Sequence, residues 1–309
     1  LFKKDDEFFI PTSGTEINGI GPMMLGSFGT GARRPHLRFQ DQVGTWADAI
    51  KISASDVRVM NFEMTSENYD MDNSVHIVTN GQNNLIYGMK FNPGIRFNVV
   101  LLHKGFVIDS EMTPAWYDIV GQASESAMMG SSWEHSRHGD DNVNHIRNGK
   151  TLIAHNSLAT ENSYCIRHYA GELLVTDNVI NCDRTLVFAE CHECKYNDPI
   201  SCENQVCPLE SRVNVFEKNE FLYPTGAPAS GSFIDIASKY RGVIRNNIFY
   251  KSEYGKTITT EYDSGSVIGD FGVGIDNLYI YDNTNYKPNN AGDFIKAVDI
   301  NNLEVKNNI

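Results

Sequence analysis

Five of the nine histidines fall between His135 and His168, in the order His135, His138, His145, His155 and His168. The same stretch holds Arg137, Arg147, Lys150 and Arg167. On a chain with 39 acidic side chains against 26 lysines and arginines, a formal net charge of −13, this is the one concentration of positive charge. Guanidinium forks hold carboxylate or sulfate oxygens bidentately, while imidazoles and amines exchange protons near neutral pH. The combination suits an anionic substrate from which a proton is to be removed. The opposing reading is a structural network in which Glu134, Asp140, Asp141 or Glu161 neutralises the arginines.

Such groups need a scaffold that repeats, and the chain carries one. A short motif of apolar or β-branched residues, a polar residue, an Asn and one or two further apolar residues recurs around Asn156, Asn178, Asn219, Asn247, Asn283 and Asn308. The Asn-to-Asn steps are 22, 41, 28, 36 and 25 residues. Short steps fit one turn of a parallel β-solenoid, and long ones fit a turn carrying a loop. Asn suits the corner because it tolerates left-handed backbone geometry and its amides can stack along the ladder. Looser copies lie at Val57–Met64, Leu85–Phe91 and Phe106–Met112. Further strands are expected at Asn98–His103, Trp116–Val120, Asn144–Arg147, Tyr164–His168, Thr185–Ala189 and Ser232–Ile236. No stretch keeps helical apolar spacing for three turns. The pattern predicts an all-β fold, a single right-handed parallel β-helix of about ten coils. An antiparallel sandwich is the alternative, but its Asn-Gly and Asp-Gly hairpin turns are sparse.

Coil stacking then sets the expected site. If Ile146 and Ile166 both point inward, Arg147 and Arg167 stack outward about 4.8 Å apart at the backbone. His145 lies on the same face, Asp118 falls one coil before it, and Asp235 lies further along the arginine column. Two stacked arginines need an anion between them, which a polysaccharide carboxylate would supply. The chemistry this fits is β-elimination on a uronic-acid polymer. Neutralising the sugar carboxylate makes the neighbouring proton removable, and an enolate-like transition state is stabilised. Arg147 and Arg167 are the neutralising groups, since arginine stays charged and makes a poor base. His145 or Lys150 is the candidate base. His168 or His138 is the candidate acid or sugar-orienting group. His135, Arg137, Tyr164, Tyr169 and Asp118 complete the expected substrate surface. Epimerisation shares the proton-abstraction step. Glycoside hydrolysis is the rival, with Asp118, Glu190 and Asp235 as its acids.

Two segments carry a family resemblance. Leu1–Phe8 followed by Gly26-Ser27-Phe28-Gly29-Thr30-Gly31-Ala32-Arg33-Arg34-Pro35 resembles the opening coils of right-handed β-helix proteins that act on polysaccharides, the pectate-lyase-like superfamily. Tyr164-Cys165-Ile166-Arg167-His168 followed by Leu173–Asn178 resembles the alginate and chondroitin-B lyase strand that carries an adjacent Arg-His pair. The resemblance implies Arg167 as a catalytic-site arginine and His168 as its neighbour at the subsite. It implies a lysine base one coil earlier. Here that strand reads Asn144-His145-Ile146-Arg147-Asn148-Gly149-Lys150, with the lysine displaced, and the acidic residue that helps to hold calcium has no counterpart.

The rest of the chain bounds the reading. The acidic balance argues against a nucleic-acid partner, and no apolar run is long enough to span a membrane. Four of six cysteines, Cys191, Cys194, Cys202 and Cys207, crowd into a loop insertion at 190–210. Two disulfides explain them better than zinc, whose second tight pair is missing. Cys165 and Cys182 read as buried ladder residues. No cofactor follows from the residues. Calcium is left open at the acidic cluster Asp70–Asp72 or at Asp140-Asp141, where solvated turns are the alternative. The expected location is secreted or extracellular, and the expected partner is an acidic polysaccharide, with self-association open. One domain is expected over 1–309, cut within strands at both ends. The non-enzymatic alternative is an extracellular structural, filament or adhesion solenoid.

Overall fold

The computed structural model describes residues 1–40, 47–67, 74–92, 97–101, 104–112, 128–130, 150–159, 164–168, 172–181, 184–188, 213–222, 233–237, 242–250, 258–259, 277–286, 294–296, 300 and 302–309. Among them there is no helix. The strands form three all-parallel sheets of 11, 10 and 10 strands, and each strand pairs with the one three places along the chain. This is a right-handed parallel β-helix, as the asparagine repeat predicts. The first sheet runs from Phe2–Lys3 to Leu303–Lys306, the second from Glu7–Ile10 to Thr284–Tyr286, and the third from Thr15–Ile17 to Ile295–Lys296.

The corner between the first and second sheets shows why the sequence repeats as it does. From Asn61 onward one residue of each described turn adopts positive φ: Asn61, Gly88, Asp109, His155, Asp177, Lys218, Asn246, Asp282 and Asn307, at φ between 51° and 64°. Gly and the short polar residues adopt this geometry most easily. The next residue holds the corner together. The buried side chains of Asn156, Asn178, Asn219, Asn247 and Asn283 each accept the backbone N–H of the preceding rung's corner residue, at 2.9–3.1 Å. Each Nδ2 donates in turn to the next asparagine's Oδ1 and to a backbone carbonyl, as Asn178 does to Asn219 at 2.9 Å and to Ile153 at 2.9 Å. Asn308 closes the described ladder.

The ladder does not extend through the N-terminal rungs. Phe62, Met89 and Ser110 hold the corresponding corner positions, and Ser110 links the two regimes. Its Oγ accepts from Met89 N at 3.2 Å, and its N–H donates to Asn156 Oδ1 at 2.9 Å. A second polar clamp sits on the other side of the first sheet, where Asn84 Oδ1 accepts Val57 N–H at 2.9 Å and its amide donates to Ala54 O.

Inward columns fill the barrel. On the second sheet Leu37, Met64, Phe91, Met112, Leu158, Ile180, Phe221 and Phe249 follow one another in register, all buried. Phe221 and Phe249 stack with centroids 4.8 Å apart and planes 18° apart, so successive aromatic rings continue the backbone repeat.

One strand of the third sheet departs from the sequence reading. Met128–Gly130 pairs with Phe97–Leu101 on one side and Tyr164–His168 on the other. The rung beside Arg167 is therefore that of Met129, where the repeat predicts Arg147. The reason is that an inward position asks only for an apolar side chain, which Met128 offers as well as Ile146. The corner-to-corner distance across this turn, Ser110 to Asn156, is 46 residues. Sheet pairing constrains loop length weakly, since closure entropy rises slowly with length.

Candidate functional site

The third sheet carries the part of the expected site that the structure describes. Arg167 belongs to the column Lys51, Val78, Val100, Met129, Arg167, Leu186, Asp235, Thr259 and Lys296. Asp235 thus shares the arginine column as expected, two rungs on, with Leu186 between. His168 pairs with Gly130 and Val187, in the column of Ile52, Thr79 and Leu101, three buried residues. Tyr164 lies opposite Arg184. Cys165 is buried, as expected of a ladder residue, and it is disulfide-bonded. A register shift between Tyr164 and Ile166 accompanies it, and both Cys165 and Ile166 belong to the core.

Lys150 is not on this sheet. It opens the strand Lys150–Ala154 of the first sheet, opposite Glu172. His135, Arg137, His138, His145, Arg147, Asp118, Tyr169 and Glu190 lie outside the described residues. So do the cysteines Cys191, Cys194, Cys202 and Cys207 and the acidic candidates Asp70, Asp72, Asp140 and Asp141. Among the described residues, no group of three or more His, Cys, Asp or Glu side chains could hold a metal ion. No helix of the described residues is long and apolar enough to cross a membrane.

A second polar surface escaped the sequence reading. The outward face of the second sheet carries Glu7, His36, Glu63, Lys90 and Glu111 in one column, alternating in charge when His36 is protonated. Beside it run Phe9, Arg38 and Thr65. Arg38 bridges Glu67 at 3.0 Å and Glu7 at 3.5 Å, and its guanidinium lies 5.4 Å from the Phe9 ring centre. His36 Nε2 lies 2.8 Å from Thr65 Oγ1, and its Nδ1 is 3.6 Å from Glu7. Lys90 meets Glu63 at 3.6 Å, and Asn92 donates to Glu63 Oε1 at 2.6 Å and to Thr65 Oγ1 at 3.1 Å. The signal that marks this face is the constant 27-residue step joining His36-x-Arg38, Glu63-x-Thr65 and Lys90-x-Asn92.

The charges on this face answer one another, so it presents hydrogen-bonding groups with little field left over for an anion. Glu63 shows the balance. Burial pushes its carboxyl up, but the Asn92 hydrogen bond and the charges of Lys90 and His36 together outweigh burial and hold it below the ordinary 4.5. A carboxylate with a lowered folded pKa stabilises the fold above its unfolded pKa, and that contribution is lost as pH falls through the folded value. The melting temperature of Glu63→Gln should therefore fall less than that of wild type on acidification from neutrality to below pH 4.5. Equal acid sensitivity of the two proteins would contradict this.

A third polar group closes the first sheet. Arg245 donates to Glu217 Oε2 through Nε at 2.7 Å and to the Tyr281 hydroxyl through Nη1 at 3.0 Å. These bonds raise the arginine's pKa, the Tyr281 bond contributing most and Glu217 next. On the same outward column the Tyr87 hydroxyl is raised by its hydrogen bond to Asp109. Arg245 is thus committed within the rod, while Arg167 stands in register between Met129 and Leu186. No protein-family model, curated protein or solved structure matches the chain, so the assignment of the site rests on this geometry and on the sequence.

Proposed function

We propose that this β-solenoid acts on acidic polysaccharide, cleaving a uronic-acid-containing chain by β-elimination in the manner of the pectate-lyase-like proteins. One observation carries the reading. The Arg167-His168 pair stands in register on a rung of the third sheet, on a strongly acidic chain, in the stretch that holds five of the nine histidines. Arg167 neutralises the sugar carboxylate. A base then takes the C5 proton, the electron pair forms the C4–C5 double bond, and the glycosidic oxygen leaves with a proton from the acid. Lys150 lies on another sheet, so in this reading His145 is the base, with His168 or His138 as acid. In this reading the protein is secreted, and Cys191, Cys194, Cys202 and Cys207 pair as disulfides within the 190–210 insertion. Calcium has no assigned ligands in this reading.

A second reading has its own support. Lys90, Arg38 and Arg245 are all ion-paired on the solenoid surface, as in a rod that binds glycan or builds an extracellular structure without turning substrate over.

Electrophoresis through gels containing alginate, pectate, a glycosaminoglycan or a neutral glucan tests binding. Retardation by a uronate polymer and not by the glucan, weakening as salt is raised, is expected from arginine-carboxylate contacts. Equal mobility in all four gels would overturn recognition of acidic polymers.

A further inference from the structure

The outward face of the second sheet changes character along its length. Its N-terminal rungs carry Glu7, His36, Glu63 and Lys90, whose groups pair with one another. Its last three described rungs carry Glu220 and Leu222, then Ile248 and Tyr250, then Thr284 and Tyr286. Each pair sits two residues apart on one strand and in register with the next. Ile248 is 40% exposed, Tyr250 37% and Tyr286 58%. The two tyrosine rings are neighbours, with centroids 5.8 Å apart and planes turned 55° from each other. Among the described residues, the two phenol hydroxyls, the Thr284 hydroxyl and the Glu220 carboxylate have no hydrogen-bond or ion-pair partner.

We infer that this patch binds an uncharged, twisted glycan lying along the solenoid axis, with successive sugar rings stacked on Tyr250 and Tyr286. Size excludes a protein partner first. Three rungs at about 4.8 Å and a strand width of about 7 Å give about 100 Å². A specific protein interface buries roughly 800 Å² on each side. The patch suits two or three sugar rings.

The chemistry suits them as well. A tyrosine offers a flat apolar face with a polar tip. A pyranose offers the counterpart, a face of C–H groups edged by hydroxyls. The uncommitted hydroxyls and carboxylate around the rings supply the few polar contacts that orient such a ligand. Charge then narrows the choice. The six residues include no cation, and a uronate ring would meet the like charge of Glu220. The 55° turn narrows it further. Coplanar aromatic rings would suit the flat ribbon of a cellulose-type glucan, whose successive sugars share a plane. Rings turned from each other suit a chain whose successive sugars turn about its axis, as in xylan. Xylose also lacks the hydroxymethyl arm, so its ring can lie flat beside Ile248. This site stands on a different sheet from Arg167 and does not depend on its role.

Calorimetric titration with xylotetraose, cellotetraose and a galacturonate tetramer tests the proposal. Wild type and Arg167→Ala are both titrated, so that a uronate contact on the third sheet is not counted. Xylotetraose should bind both chains equally, with a Kd of about 1 mM, as befits a shallow site. Tyr250→Ala and Tyr286→Ala should each weaken it by about tenfold, the scale of one lost stacking contact. Their melting temperatures should match wild type, because both rings point out of the barrel. Cellotetraose should bind about tenfold more weakly, and the galacturonate tetramer should not bind Arg167→Ala at all. No binding of xylotetraose, or binding that both alanine variants keep, overturns the site. Cellotetraose bound as tightly as xylotetraose overturns the preference for a twisted chain. Galacturonate bound by Arg167→Ala as tightly as xylotetraose overturns the assignment to an uncharged glycan.

Discussion

Asn219→Ala should destabilise the chain by about 3 kcal/mol or more in denaturant unfolding, while Asn308→Ala costs about 1 kcal/mol. The two side chains do the same job in different surroundings. Asn219 is 1% exposed and takes part in four side-chain hydrogen bonds. Its Oδ1 accepts Asn178 N–H at 3.1 Å and Asn178 Nδ2 at 2.9 Å. Its Nδ2 donates to Val175 O at 2.9 Å and Asn247 Oδ1 at 3.0 Å. Alanine removes all four and strips the buried Asn178 amide of this acceptor in a place water does not reach. An orphaned buried polar group costs about 1–3 kcal/mol. Asn308 is half-buried at the end of the ladder, where solvent can replace part of what is lost. Asn219→Asp should be nearly as damaging as alanine, because it keeps the acceptor but removes both donors and buries a charge. Equal effects at positions 219 and 308 would show that the amide column does not hold the corner.

That column is also why so much of the fold was legible in the sequence. An asparagine that must bond the rung before and the rung after cannot be exchanged freely, so it recurs wherever a coil passes the corner. From Asn156 onward each expected corner is a corner. Before Ser110 the same position holds Phe62 and Met89. There only the left-handed residue ahead of it, Asn61 or Gly88, marks the turn, and the pattern loosens accordingly. The turn between Ser110 and Asn156 was misjudged for a different reason. Rungs are selected by apolar residues, which are common. Met128 and Ile146 are equivalent to a reader of sequence, and only the pairing of Met128–Gly130 with both neighbours distinguishes them. The placement of Asp235 in the Arg167 column was legible because both strands lie between well-marked corners. The charged face built on His36, Glu63 and Lys90 was overlooked because its residues are 27 apart and look unrelated until they are stacked.

The second large effect concerns the site. Arg167→Ala should abolish turnover of the uronate polymer and leave the melting temperature within about 2 °C of wild type, because the column runs on through Met129 and Leu186 without it. Removing the group that neutralises the sugar carboxylate returns the adjacent proton to its weak acidity. The loss should lie in kcat, on the scale of about 10²–10³ or more for a lost electrostatic stabiliser. Arg167→Lys keeps the charge but not the fork, and should recover only part of the rate. A variant that loses binding in the gels but has no wild-type rate to lose would assign the arginine to the glycan-binding rod instead.

The most direct test follows ultraviolet absorbance of unsaturated uronate while wild type and Arg167→Ala are incubated with alginate, pectate and glycosaminoglycan substrates. The account predicts rising absorbance for wild type on at least one polymer and a flat trace for the variant. No rise with wild type on any of them, under conditions where the chain is folded, would contradict it.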